Sequence, residues 1–248
     1  MIVSFFEEFP KKENLSKLKL VEWPTKVYIA ARSLKEFRKY KAMVKGKNVI
    51  QVVYWPVLDK LEGYWISPFS DKSALLRVLG ELKGKNIPVM IDAEIPFATN
   101  VHLYFRSFNF FSNKKLIQDF VKKHKDVYVC EYYPDGKLNE DLLSLFGLHF
   151  DSGKYKSKVI RMVYHSMRRF DEPFILSEIK RGKKQFGKNF IVAYGTIAKG
   201  IKGHERILSP SQLEKDLKIA KKLGVKEVVI YRLGGLNNDY VSVIKKFL

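Results

Sequence analysis

Eight short apolar runs, separated by stretches with helical periodicity, constrain this 248-residue chain more than any other feature. They occupy residues 2–6, 26–31, 48–56, 88–95, 127–131, 159–164, 190–194 and 226–231. Runs this uniformly rich in Val, Ile and Tyr suit strands buried on both faces, which means a parallel sheet covered by helices. Between them, Ser33-Leu34-Lys35-Glu36 reads as a capping box opening a helix to about residue 44, and the spacing predicts further helices over 72–83, 114–123 and 239–248. Ser209-Pro210-Ser211-Gln212 supplies an N-cap, a first-turn proline and a capping-box glutamine, and Gly224 supplies a left-handed stop. Eight strand–helix units in this length predict one (β/α)8 TIM barrel spanning residues 1–248 as a single domain. No run is followed by G-x-G-x-x-G or G-x-x-x-x-G-K-[ST], which argues against an open nucleotide-binding sheet. The sixth strand is the ambiguous one, because residues 146–150 compete with 159–164.

Charge and cysteine narrow the class. Forty-six Lys and Arg against 26 Asp and Glu give a formal net charge of +20. That balance favours anionic partners such as nucleic acid or phosphorylated metabolites, although the lysines are spread over nearly every helix, as on an ordinary basic surface suited to a hot or salty cytoplasm. Cys130 is the single cysteine, so neither an internal disulfide nor a thiolate cluster can form. No stretch approaches the roughly 20 apolar residues of a membrane span, and the first residues do not read as a signal peptide. A cytoplasmic location is expected.

The fourth run ends in Asp92-Ala93-Glu94 before Pro96. On a strand, the i, i+2 spacing points both acids to one face, at the strand end where barrels build active sites. A pair that merely caps the strand would show the same spacing. Two carboxyls so placed titrate as a unit that holds a proton above the usual carboxylate range. Two long loops flank this end. One carries Asp59, Glu62, Tyr64, Trp65 and Ser67 after Trp55. The other carries His102, Tyr104, Phe105, Arg106, Phe108, Phe110 and Phe111. Aromatics in such loops stack on sugars or bases, or else fold back on themselves. Around the same mouth Tyr54, Trp55, Trp65, Arg106, Tyr132, His165, Tyr194, Tyr231 and Arg232 are the candidate ligand-binding residues.

The fourth strand ending in Asp-x-Glu, together with Met162-Val163-Tyr164 on the sixth, resembles the family-18 glycoside hydrolases, the chitinase and endo-N-acetylglucosaminidase group. The resemblance implies Glu94 as general acid. It implies Asp92 as the carboxylate that orients the substrate acetamido group, which attacks the anomeric carbon in place of a protein nucleophile, and Tyr164 as a partner of that group. This chain departs from the family at Ile87 and Met90, where further aspartates are usual, at His165, and at Tyr231, where a tryptophan floors the sugar site.

Other chemistries remain open at this level. A two-carboxylate glycosidase would need a nucleophile, and Glu131 is the best remaining acid, followed by Glu7 or Glu8; an ion pair with Arg161 or Arg232 is the structural alternative for Glu131. A metal-dependent sugar isomerase or phosphodiesterase would use Asp92, Glu94, Glu131 and His165 as ligands, but no H-x-H or H-E-x-x-H spacing supports one. A non-catalytic binder of nucleic acid or phosphosugar would use Arg106, Arg168 and Arg169. The leading expectation is a barrel that acts on or binds a saccharide or other small polar ligand, with no cofactor and no metal.

Overall fold

The computed structural model describes residues 1–95, 106–166, 168–201 and 203–248, with the side chains of residues 106, 107 and 152 left aside. The eight strands are β1 (Ile2–Glu7), β2 (Thr25–Ala31), β3 (Val49–Pro56), β4 (Val89–Asp92), β5 (Val127–Tyr132), β6 (Lys158–Tyr164), β7 (Phe190–Gly195) and β8 (Glu227–Tyr231). Each pairs in parallel with the next, and β8 pairs with β1, so the sheet closes into the expected barrel. The sixth strand is the 159–164 run. Residues 146–150 instead leave a helix end at Phe146 and lead into the turn before β6.

Helices α1 (Leu34–Met43), α2 (Lys72–Leu82), α3 (Phe110–Lys123), α4 (Lys137–Leu145), α5 (Glu172–Phe186), α6 (Pro210–Lys222) and α7 (Asn238–Lys245) follow successive strands, with single turns at Lys12–Leu15 and Ser152–Tyr155. The capping chemistry read from sequence operates: Ser33 Oγ accepts from the N–H of Glu36, and Ser209 Oγ from that of Gln212. Gly224 adopts φ +67°, a left-handed conformation that ends α6 at little cost only for a residue without Cβ.

Strand alternation divides the interior into two cores. Outward residues such as Val27, Ile29, Val129 and Ile230 meet the helices. Inward residues such as Phe6, Tyr28, Val53, Met90, Tyr128, Ile160 and Val229 fill the barrel. The end of the barrel where the strands begin is plugged by polar groups that satisfy one another. Glu227 accepts from Ser4, Tyr28 and Lys26, while Lys158 bonds both Asp126 and the Tyr128 hydroxyl. With that end sealed, ligand access is at the opposite mouth, where β4 ends.

Candidate active site

Strand β4 stops at Asp92, and Glu94 lies just beyond it. Met90 and Asp92 face the interior, so two residues further the Glu94 carboxyl arrives on the same side, where it shares a hydrogen bond with Asp92. From the neighbouring strand, Tyr132 donates its hydroxyl to Glu94 Oε2 at 2.7 Å. Asp92 is 3% exposed. Burial pushes its carboxyl well above the usual range, and the charges of Glu94 and Glu8 add to that.

These acids open on a cavity of about 80 Å³, the space of several waters, enough to take a substituent and one face of a ring. Trp55, Trp65, Met90, Met162, Tyr164 and Tyr231 form its apolar walls, with Glu8, Ser166, Thr196 and Glu205 as further polar groups. Its described lining contains no Lys or Arg, although the chain carries a net charge of +20. Asp92 Oδ1, Trp55 Nε1 and Ser166 Oγ are buried polar atoms of that lining without hydrogen-bond partners among the described residues. An acceptor, a donor and a hydroxyl left unsatisfied around one cavity are costly for the fold and available to a ligand. The Tyr164 ring sits 5.9 Å from that of Tyr231.

Glu8 is the residue that sequence reasoning undervalued. It follows β1, faces inward after Ser4 and Phe6, and accepts hydrogen bonds from Tyr64 at 2.6 Å and from Tyr231. Burial raises its carboxyl, against the pull of those two phenols and of the Arg232 charge. Its signal was parity: Phe6 and Glu8 share the face that Met90 and Asp92 share.

Several expected residues face the other way. Glu131 lies between inward Cys130 and Tyr132, and so points to the helices. There it pairs with Arg161 at 2.8 Å and His149 at 3.1 Å, which excludes it from an acid/nucleophile pair with Glu94. Burial works to raise its carboxyl, but the His149 hydrogen bond and the Arg161 charge outweigh burial and hold it below the usual range. Tyr54, the neighbour of inward Trp55, stacks on Phe37 of α1 at 4.8 Å. Tyr194, the neighbour of inward Ala193, is fully buried on the helix side. His165 lies behind the sheet against Asp216 at 3.2 Å. Arg232 pairs with Glu7 at 3.1 Å and covers the Phe9 ring. Residues 96–105, with His102, Tyr104 and Phe105, and the side chain of Arg106 lie outside the described residues. Phe110 packs on Phe69 and Phe146, whereas Phe108 and Phe111 are exposed. Among the described residues, no three His, Cys, Asp or Glu side chains are grouped to hold a metal ion, and no helix is long and apolar enough to cross a membrane.

No protein-family model matches the sequence, nor does any curated protein. Solved structures do match in fold. A class V chitinase from Nicotiana tobaccum superposes with a TM-score of 0.59 at 8% identity, over 100% of this chain and 98% of that one. The PgaB (BpsB) glycoside hydrolase domain from Bordetella bronchiseptica gives 0.58 at 12%, over 97% and 94%. A family-128 (subgroup I) endo-β-1,3-glucanase from Amycolatopsis mediterranei, in complex with laminaripentaose, gives 0.53 at 10%, over 99% of each chain. All three are TIM-barrel glycoside hydrolases. At these identities the likeness is one of fold, and one barrel hosts many chemistries, so function has to be argued from the site.

Proposed function

We propose that this barrel is a glycoside hydrolase of the substrate-assisted type, with Glu94 as general acid, Asp92 as the group that orients the substrate and Tyr164 as its phenolic partner. The observation that carries the reading is the hydrogen-bonded Asp92–Glu94 pair, at the rim of an aromatic cavity that also presents unpaired Asp92 Oδ1 and Trp55 Nε1. The cavity suits a neutral sugar with a polar substituent. Its lack of described cations disfavours a phosphosugar or nucleic acid at its centre.

In the first step Glu94 gives its proton to the glycosidic oxygen as the bond from that oxygen to the anomeric carbon breaks. The carbonyl oxygen of the 2-acetamido group closes on the anomeric carbon from the other face. The pair shares one proton; when Glu94 carries that proton and gives it up, Asp92 is the carboxylate that accepts a hydrogen bond from the acetamido N–H and balances the positive charge developing on that nitrogen. Water then adds at the anomeric carbon and returns its proton to Glu94, and the acetamido group re-forms with overall retention. The Tyr132 hydroxyl steadies the Glu94 carboxylate between the two steps. Trp55, Trp65 and Tyr231 offer apolar faces to a ring.

The test is hydrolysis of matched oligosaccharides with 2-acetamido or 2-hydroxy groups, by wild type and by Glu94→Gln. Turnover of the 2-acetamido series with retention, lost by about 100- to 10,000-fold in Glu94→Gln with folding intact, is the expected result. Activity that Glu94→Gln leaves unchanged, or that a chelator abolishes, overturns the reading. Equal turnover of the 2-hydroxy series would instead require a protein nucleophile, and Glu8, an inward carboxyl held by two phenols, is the residue to test next.

A further inference from the structure

Beside the carboxylate cavity lies a second one of opposite character. It measures about 340 Å³ and is walled by the loop after β6 and by the segment leading from β7 into α6. Arg169 and Arg206 line it together with His165, Ser209 and Gln212, and Ser166 lines both cavities. Arg168, one residue away, pairs with Asp135 at 3.5 Å. The guanidinium groups of Arg169 and Arg206 have no hydrogen-bond or ion-pair partner among the described residues. Both arginines are solvent-exposed residues on this concavity, so their charges are available to an anion.

Three further features point the same way. The cavity contains the first turn of α6, a 13-residue helix whose positive end faces it. Ser209 caps this helix by accepting from the N–H of Gln212 and, through its carbonyl, from that of Leu213; the Ser211 N–H is not engaged by the cap. Ser166 Oγ, buried and unpartnered, stands on the wall between the two cavities. The walls are also braced. Thr196, at the end of β7, donates its hydroxyl to the Arg206 carbonyl at 2.8 Å and accepts the Leu208 N–H at 2.6 Å. Behind the cavity, Asp216 accepts from His165 at 3.2 Å and from Gln212 at 3.0 Å, which orients both side chains. Asp216 is fully buried, and both of these contacts fall on its Oδ1; Oδ2 has no hydrogen-bond partner among the described residues.

We infer that this cavity is an oxyanion subsite, which takes a phosphate, sulfate or carboxylate group carried by a saccharide whose ring occupies the Asp92–Glu94 cavity. This deepens the functional reading and rests on it for the saccharide, though not for the anion. The division of labour is electrostatic. The cleavage position is lined by carboxyls and no described cation, while the adjoining position is lined by cations, so a glycan with charged groups set apart from the scissile bond meets complementary surfaces at both. Ser166 and Thr196, which touch both regions or brace one against the other, fix their spacing.

Calorimetry on the full chain at low ionic strength, in a non-phosphate buffer, tests this with inorganic phosphate, N-acetylglucosamine and N-acetylglucosamine 6-phosphate. Wild type should bind one phosphate, with Arg169→Gln and Arg206→Gln each weakening it at least tenfold and Arg168→Gln, an equal loss of charge outside the cavity, changing it less than twofold. Equal weakening by all three would reduce the effect to diffuse surface charge and overturn the site, as would phosphate binding that neither cavity variant disturbs. The sugar phosphate should bind at least tenfold more tightly than either phosphate or the neutral sugar, and Trp55→Phe should reduce that advantage without affecting inorganic phosphate. A sugar phosphate no better than phosphate overturns the link to the saccharide site. Loss of hydrolysis in Glu94→Gln is scored separately, so failure of the catalytic reading is distinguishable from failure of the subsite.

Discussion

Tyr231, the last residue of β8, donates its hydroxyl to Glu8, just past the end of β1, across the seam where the barrel closes. Tyr64 completes the arrangement at 2.6 Å, so both oxygens of a buried carboxyl are occupied. The family resemblance places a tryptophan where Tyr231 stands; here the phenol walls the cavity and also supplies the donor that Glu8 needs. Tyr231→Phe keeps the ring and deletes the donor. Leaving a buried carboxyl with one partner costs about 1–3 kcal/mol, read as a lower midpoint in urea unfolding. The loss should grow with pH, because the missing hydrogen bond favours the ionised form of Glu8.

Three buried acids at this mouth make stability pH-dependent with a definite sign. Burial raises Asp92 and Glu8, and pushes Glu7 up to about 7 against the opposing Arg232 charge. A carboxyl whose folded pKa exceeds its unfolded value stabilises fully below the unfolded value and loses that contribution as pH rises through the folded one. The thermal midpoint should therefore fall as pH climbs from about 4.5 to 7 and beyond. Asp92→Asn, which mimics the neutral acid, should flatten the curve and raise the midpoint at pH 8 while impairing turnover. An unchanged slope would show that Asp92 is ionised in the fold.

Trp55 separates packing from recognition. Its ring is 3% exposed and its Nε1 has no partner among the described residues. Trp55→Phe retains much of the apolar contact while removing the donor and part of the ring, so thermal stability should fall only modestly. Saccharide affinity should drop about 5- to 50-fold if Nε1 serves the ligand, as measured by calorimetry on Glu94→Gln protein. Unchanged affinity would assign Trp55 to the core alone.

Glu131 tests a charge that belongs to the scaffold. Arg161 is fully buried and bonds Glu131 at 2.8 Å, with Glu178 at 3.9 Å. Glu131→Gln leaves that guanidinium under-compensated and should cost about 3–5 kcal/mol in denaturant unfolding, whereas Glu131→Leu with Arg161→Met together should recover much of it. Because the Glu131 carboxyl is held low, its contribution is present above the unfolded value of about 4.5 and lost as pH falls through the folded one. The single variant should therefore blunt acid unfolding. Where it folds, its kcat should match wild type.

Much of the architecture was legible before any coordinates. Apolar runs located the strands, Ser33 and Ser209 located helix starts, and the i, i+2 spacing put Asp92 and Glu94 on one cavity, because these depend on neighbours a few residues apart. The misplacements of Tyr54, Tyr194 and Glu131 share one cause. Each sits beside an inward residue, and alternation forbids two successive side chains from entering the barrel. In a run such as Val127–Tyr132, apolar on both faces, nothing local says which parity is inside.

What the sequence by itself determined is the set of elements, their order and the pair Asp92–Glu94, all written in short-range spacing. What only tertiary structure decided is which side of each strand the barrel encloses, and which distant groups closure brings together. Glu8 meets Tyr231 across 223 positions, and Arg169 and Arg206 line one cavity. Pairing of β1 with β8 brings the first two together and pairing of β6 with β7 the second two, and burial in the closed barrel then shifts the acids, so neither the contacts nor the protonation follow from local pattern.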